Sequence, residues 1–230
     1  MAGASGGVLD DRVVVVTGAD QPVVRGIGEG LATAGAVVAP VDWDSIASRA
    51  AAEAAFADVV DGHGRVDGVL HAAIHPIAYE RVAMADVDDA RWDAVWEQTL
   101  RRAIFVLQAG FTHLRARGGA FVVVTPVLGM AGAAELAPCA AALEGVRVLA
   151  KSAARQWGEH GIRVNCLAPA PEHVPAGIGS DALALAPPAL GGPGDPVTDL
   201  APIVAWLLGP GAHFLTGATL SADGGVWMAP

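Results

Sequence analysis

The chain has 230 residues, 53% of them hydrophobic, and a formal net charge of -10. That length and apolar content suit one single-core domain, while the acidic balance, with thirteen arginines and no basic run, excludes a nucleic-acid footprint. The two cysteines, Cys139 and Cys166, lack metal-site spacing and suggest no disulfide framework.

In chain order, the apolar run Val13–Thr17 predicts a first strand, followed by a helix over about 23–34 and a second strand at Val37–Val41. A helix over 44–61 leads to a strand at Gly68–Ala72, and a long helix spans 89–116. Then come a strand at Ala120–Thr125, a helix over 138–159, a strand at Ile162–Ala168, a helix over 197–208 and a last strand near Ala218–Ala222. Strands alternating with helices predict an α/β, doubly wound parallel sheet of Rossmann-like type, one domain over residues 1–230. Residues 169–196 are rich in Pro, Gly and Ala and read as a surface loop with at most one short helix near Asp181–Ala186. In such folds this loop lies over the carboxyl ends of the strands, where ligands bind.

The first residues, MAGASGGVLDD, show no charged segment followed by an apolar core, so no signal peptide is expected. The longest uncharged run, 118–134, is broken by glycines and Pro126 and is shorter than a membrane span. A soluble cytoplasmic protein is the expectation.

Seven segments together carry a family resemblance: VVVVTG (13–18), GAVVAPVD (35–42), VDGVLHAA (66–73), WDAVWEQTLRRAIF (92–105), GGAFVVVT (118–125), HGIRVNCLAPAP (160–171) and LTGATLSADGG (215–225). In this order and near this spacing, the chain resembles the short-chain dehydrogenase/reductase family over nearly its whole length. The resemblance implies a nicotinamide dinucleotide in a glycine-rich turn after the first strand, and a Tyr and Lys one helical turn apart that handle the substrate proton.

Both implied sites are altered. A member of the family shows Thr-Gly, three residues, then Gly-x-Gly; the glycines let backbone approach the pyrophosphate. Thr17 and Gly18 are present, and Gly35-Ala36 keeps the family distance, 18 residues after Thr17. The next glycine positions hold Pro22, which has no N–H, and Val24, a branched side chain where phosphate would come close. Gly26-Ile27-Gly28 stands four residues too late and would serve only if the loop gained four residues. Asp20 adds a negative charge beside the expected diphosphate, whereas Asp42 stands where the family places the acid that binds the adenosine ribose, or simply ends the second strand. Ala50–Asp67 is compressed and lacks an evident further strand, and the family's Asn-Asn-Ala-Gly reads His71-Ala72-Ala73-Ile74.

The four residues that the resemblance implies for catalysis, Asn, Ser, Tyr and Lys, fall on Thr99, Pro126, Cys139 and Leu143. The only tyrosine and only lysine, Tyr79 and Lys151, lie 72 positions apart. No acid then stands at a developing alkoxide. The candidates to line the pocket instead are His71, His75, Cys139, Glu172 and His173, with Glu135 near its mouth; a Cys–His pair is nucleophilic elsewhere. His71 and His75 do not have the setting of a metal site, so no metal is expected.

Three readings follow. The chain is a non-catalytic subunit that assembles with an active homologous dehydrogenase, through the helices 89–116 and 138–159 and the apolar tail Val226–Pro230; it would carry no cofactor, and NAD(P) would sit in the partner. A homo-oligomer through the same surfaces stays open. Alternatively it is a cofactor-independent isomerase, dehydratase or cyclase using the remodelled pocket, or a divergent NAD(P)-dependent oxidoreductase.

Overall fold

The computed structural model describes residues 7–72, 75–174, 178, 183 and 185–228. Six parallel strands form one sheet: β1 (Val13–Thr17), β2 (Val37–Val41), β3 (Gly68–His71), β4 (Gly119–Val124), β5 (Ile162–Pro169) and β6 (Thr219–Ala222), in the spatial order β2-β1-β3-β4-β5-β6. The central strands are apolar throughout because both sheet faces are covered. Successive residues alternate between the two layers. Val15, Val69, Phe121 and Val164 enter one core with α2 (Arg49–His63), α4 (Arg102–Leu114) and α6 (Ala137–Trp157). Val14, Val16, Leu70, Val122 and Leu167 enter the other with α1 (Pro22–Thr33) and α7 (Ala201–Leu208).

The compressed segment after β2 has a structural counterpart. From α2 the chain runs through Gly64–Asp67 straight into β3, which pairs with β1, and this leaves β2 at the edge of the sheet. The Val37 amide donates to Arg12 O of the neighbouring strand, so by alternation Val38 and Pro40 direct their backbone outward. Pro40 thus costs no ladder bond and removes one donor from an otherwise open edge.

The glycines of α1 are packing residues. A Cβ at Gly26 would lie 2.7 Å from Pro196 Cβ, and one at Gly30 would lie 2.3 Å from Ala201 Cβ and 2.8 Å from Val197 O. The pair, one helical turn apart, forms the close seam between α1 and the start of α7. Gly26-Ile27-Gly28 therefore lies within α1, and no four-residue extension of the preceding loop occurs.

The expected helix over 89–116 is regular only in part. It consists of α3 (Asp89–Trp96), one π turn (Glu97–Arg101) and α4. Helix α7 also opens with a π turn, Pro196–Leu200. A short helix not expected from the sequence, α5 (Leu128–Ala131), follows β4. Half of the short helix expected at Asp181–Ala186, residues 181, 182 and 184, lies outside the described residues. Among the described residues no helix is long and apolar enough to cross a membrane.

Candidate functional site

The carboxyl ends of β1, β3, β4 and β5 converge on one side of the sheet, where doubly wound folds hold their ligands. β1 ends at Thr17, and the chain turns at Gly18 with φ +84, a conformation that suits glycine. Gln21 caps α1 without a side-chain bond to the helix; its Nε2 instead donates to Ala72 O at 2.7 Å, tying the turn to the end of β3. Pro22 occupies the first helical position, exposed, where its fixed φ fits but no N–H is available. Val24 is completely buried in the α1-side core, so its side chain faces the sheet. Of the two residues at glycine positions, Pro22 alone lies at the surface of the turn. Asp20 and Asp42 are both exposed.

Trp43, which follows Asp42, is engaged by two partners. The Arg102 guanidinium lies 4.3 Å from its ring centroid and donates Nη1 to Trp43 O at 2.6 Å. The His75 ring lies 5.5 Å away. Arg102 is buried, which pulls its pKa down, with Asp44 opposing. Sequence reasoning missed this cluster because its members, 43, 75 and 102, share no spacing; the only signal is an indole at the end of a strand.

His71 and His75 do not work together. His71 ends β3, buried, with Nδ1 2.7 Å from Thr17 Oγ1. Burial lowers its pKa to about 4, which keeps the imidazole neutral. His75 turns away toward Trp43, and its Nδ1 accepts the Ile77 amide at 3.2 Å. The expectation that either approaches Cys139 is not met by any hydrogen bond among the described residues. Nor does any group of three His, Cys, Asp or Glu there stand ready for a metal.

Two of the four positions aligned with the catalytic residues lie in a closed apolar patch. Cys139 and Leu143, one turn apart on α6, are 0% and 1% exposed. They share a cluster with Tyr79, Val95, Leu128, Leu136 and Val174. Burial pushes the Cys139 thiol up to about 12, and no cation opposes it. Burial also raises the Tyr79 phenol well above its ordinary value, with Cys139 adding to the shift. Pro126 is buried just beyond β4. Thr99 sits in the π turn, buried, and its Oγ1 has no hydrogen-bond partner among the described residues. Gly145 makes room for this turn: a Cβ there would lie 3.1 Å from Leu100. Lys151 is exposed, two turns further along α6.

His173 is held in the loop after β5, its Nε2 2.9 Å from Pro193 O, and Glu172 beside it is partly buried. Val174 and Ile178 of the same loop cover the Cys139 cluster. Glu135 lies outside, paired with Arg81 at 2.7 Å.

A doubly wound nucleotide-type fold with its cleft at these strand ends defines a class, and comparison with known proteins narrows it. Residues 11–227 match the model of the family described as enoyl-(acyl carrier protein) reductase. The chain belongs to the short-chain dehydrogenase/reductase family. It is 34% identical to cis-4-hydroxycyclohexanecarboxylate dehydrogenase of Sinomonas cyclohexanicum over 80% of this chain and 72% of that one. It is 28% identical to (3R)-3-hydroxyacyl-CoA dehydrogenase of Rattus norvegicus over 96% and 98%. The fold superposes with TM-score 0.82 on a 3-ketoacyl-(acyl-carrier-protein) reductase from Brucella melitensis complexed with NADH, at 21% identity over 96% of this chain and 100% of that one.

Proposed function

We propose that this chain is a non-catalytic member of its family, a degenerate subunit that keeps the fold and supports an active homologous dehydrogenase. One observation carries the reading. The two α6 positions at which the resemblance implies a proton donor and its activating cation hold Cys139 and Leu143, sealed in an apolar cluster. A thiol whose pKa is pushed up to about 12 is a poor acid at neutral pH, and leucine has no charge to stabilise anything. Hydride delivered to a carbonyl there would leave the oxygen without a donor.

The cofactor side supports the same reading. Pro22 offers no amide to a phosphate, Asp20 opposes the charge of a diphosphate, and the indole next to Asp42 is already packed between Arg102 and His75. No nicotinamide dinucleotide is expected in this chain; NAD(P) belongs in the partner. Apolar surface supports an assembly reading: α4 and α6 flank a groove that includes Phe111, Leu149 and Trp157, with Val148 exposed nearby, and Met228 is exposed at the tail.

The comparisons by themselves favour a second reading, a divergent NAD(P)-dependent oxidoreductase. The relatives are named as dehydrogenases and reductases, and some align over almost their full length. A cofactor-independent enzyme finds less support, because His71, His75 and His173 each bond elsewhere.

Native mass spectrometry on the tagged chain from its own host tests the proposal. A mass equal to this chain plus an intact-motif homologue, with nucleotide counted only on the homologue, supports it. A homo-oligomer with one nicotinamide nucleotide per chain overturns it in favour of the second reading.

A further inference from the structure

The opposite edge of the sheet, where the strands begin, carries a second candidate site. Each of four adjacent parallel strands has an arginine at or just before its first residues: Arg12 at β1, Arg65 at β3, Arg117 at β4 and Arg163 at β5. In the sequence they are scattered between positions 12 and 163 and form no run. Parallel topology collects strand starts along one edge, and all four line a single pocket of about 610 Å³. The dinucleotide-type cleft lies at the other ends of these strands, about 16 Å away for a five-residue strand.

The charges of this pocket are not balanced internally. Its one carboxylate, Asp67, is already committed: it accepts the Val13 amide at 2.9 Å and pairs with Arg65. Asp11 acts on Arg65 from outside the lining residues, and Glu159 stands 3.7 Å from His160, which also lines the pocket. Arg163 donates to Leu207 O at 2.6 Å and to Gly209 O at 3.0 Å, covering the end of α7, so part of its role is structural. Arg12 and Arg117 make no ion pair and no side-chain hydrogen bond with any described residue. Arg12 is close enough to Arg163 to depress its pKa, though burial contributes more. Like-charged guanidiniums facing one pocket are unusual in a chain with 24 acidic residues against 14 basic ones, where a carboxylate partner would be easy to supply.

The floor is backbone. Gly118 and Gly161 adopt φ +75 and +69, and a Cβ on Gly118 would lie 2.9 Å from Gly161 O. Gly118, Gly119 and Gly161 thus bring backbone to the lining, and the arginines share that lining with them. Forked donors around an open, polar depression suit oxygens arranged as in phosphate. The overall acidity and the concave shape argue against an extended polyanion such as nucleic acid.

We propose that the pocket formed by Arg12, Arg65, Arg117 and Arg163 at the amino-terminal edge of the sheet binds a small molecule carrying phosphate groups. This proposal is independent of whether the chain is catalytic.

Calorimetric titration with inorganic pyrophosphate in about 150 mM KCl, near physiological ionic strength, tests it. The expected result is saturable binding with Kd at or below about 1 mM. Arg12→Gln/Arg117→Gln should weaken it at least about tenfold, since bonds to charged groups of this kind are worth a decade or more. Arg25→Gln, an exposed control on α1 outside the pocket, should leave it unchanged. If the double variant fails to fold, the exposed single variant Arg117→Gln carries the same test. Absence of saturation in the wild-type chain overturns the proposal, as does equal binding by wild type and folded variants. Binding of oligoglutamate in place of pyrophosphate would overturn it in favour of an acidic peptide.

Discussion

Replacing Gly30 with alanine tests the register of α1, on which the reading of the nucleotide turn depends. Two terms oppose each other. Alanine in a helix interior is favoured over glycine by about 1 kcal/mol. The added methyl, however, would start 2.3 Å from Ala201 Cβ and 2.8 Å from Val197 O. Carbon atoms prefer about 3.5–4.0 Å, so α1 and α7 would have to part by more than an ångström. Overpacking of this kind costs about 1–3 kcal/mol, occasionally more, and here backbone has to move. The net expectation is a loss of about 1–2 kcal/mol, or several degrees in Tm for a domain of this size. Gly62→Ala serves as the control. It makes the same chemical change on α2, with nothing within 4 Å, and should gain about 0.5–1 kcal/mol. Urea unfolding of the two variants measures both. If Gly30→Ala stabilises the protein as much as Gly62→Ala, the seam does not exist as described, and Gly26-Ile27-Gly28 returns as a candidate phosphate loop.

Three further expectations concern the buried groups. The thiols of Cys139 and Cys166, pushed up to about 12 and about 11 by burial, should resist iodoacetamide in the native protein at pH 8 and react on denaturation; labelling of either within minutes, read by intact mass, contradicts the closed patch. His71 has its folded pKa lowered to about 4 from 6.5, so the unfolded chain binds the extra proton, and its contribution is full above pH 6.5 and is lost as pH falls through 4. By linkage the loss at pH 5 is about 2 kcal/mol. His71→Asn should remove that part of the slope between pH 7 and 5 in denaturant titrations, and an unchanged slope refutes the assignment. Leu143→Lys, at a position 1% exposed, buries an unpaired ammonium and should cost about 3 kcal/mol or more; a variant as stable as the parent would mean that the cluster opens readily.

The strands were legible because both sheet faces are covered, so Val13–Val16 and Phe121–Val124 read as unbroken apolar runs. The loss of a strand after β2 was legible too, as a segment too short to hold it. Spacing placed Cys139 and Leu143 one turn apart on a single helix, as found. What spacing does not carry is direction across the fold. Val24 seemed placed to obstruct phosphate, yet its side chain enters the core; His71 and His75, four residues apart, diverge because a strand ends between them. The π turn at Glu97–Arg101 was not legible, because the segment 89–116 reads as one continuous helix. The arginine edge was invisible as a run and becomes visible only when strand starts are aligned.

The most direct test of the central claim is titration of the purified chain carrying Arg12→Gln/Arg117→Gln, which disables the arginine pocket at the other edge, with NADH and NADPH, followed by nicotinamide fluorescence and by calorimetry. The account predicts no saturable binding tighter than about 1 mM at the strand-end cleft, equivalent to about -4 kcal/mol, and no oxidation of the nucleotide with any carbonyl supplied. One nicotinamide nucleotide bound per chain at micromolar affinity, with turnover abolished by substitution at the carboxyl ends of β1 and β3, would contradict it and establish the chain as an active oxidoreductase.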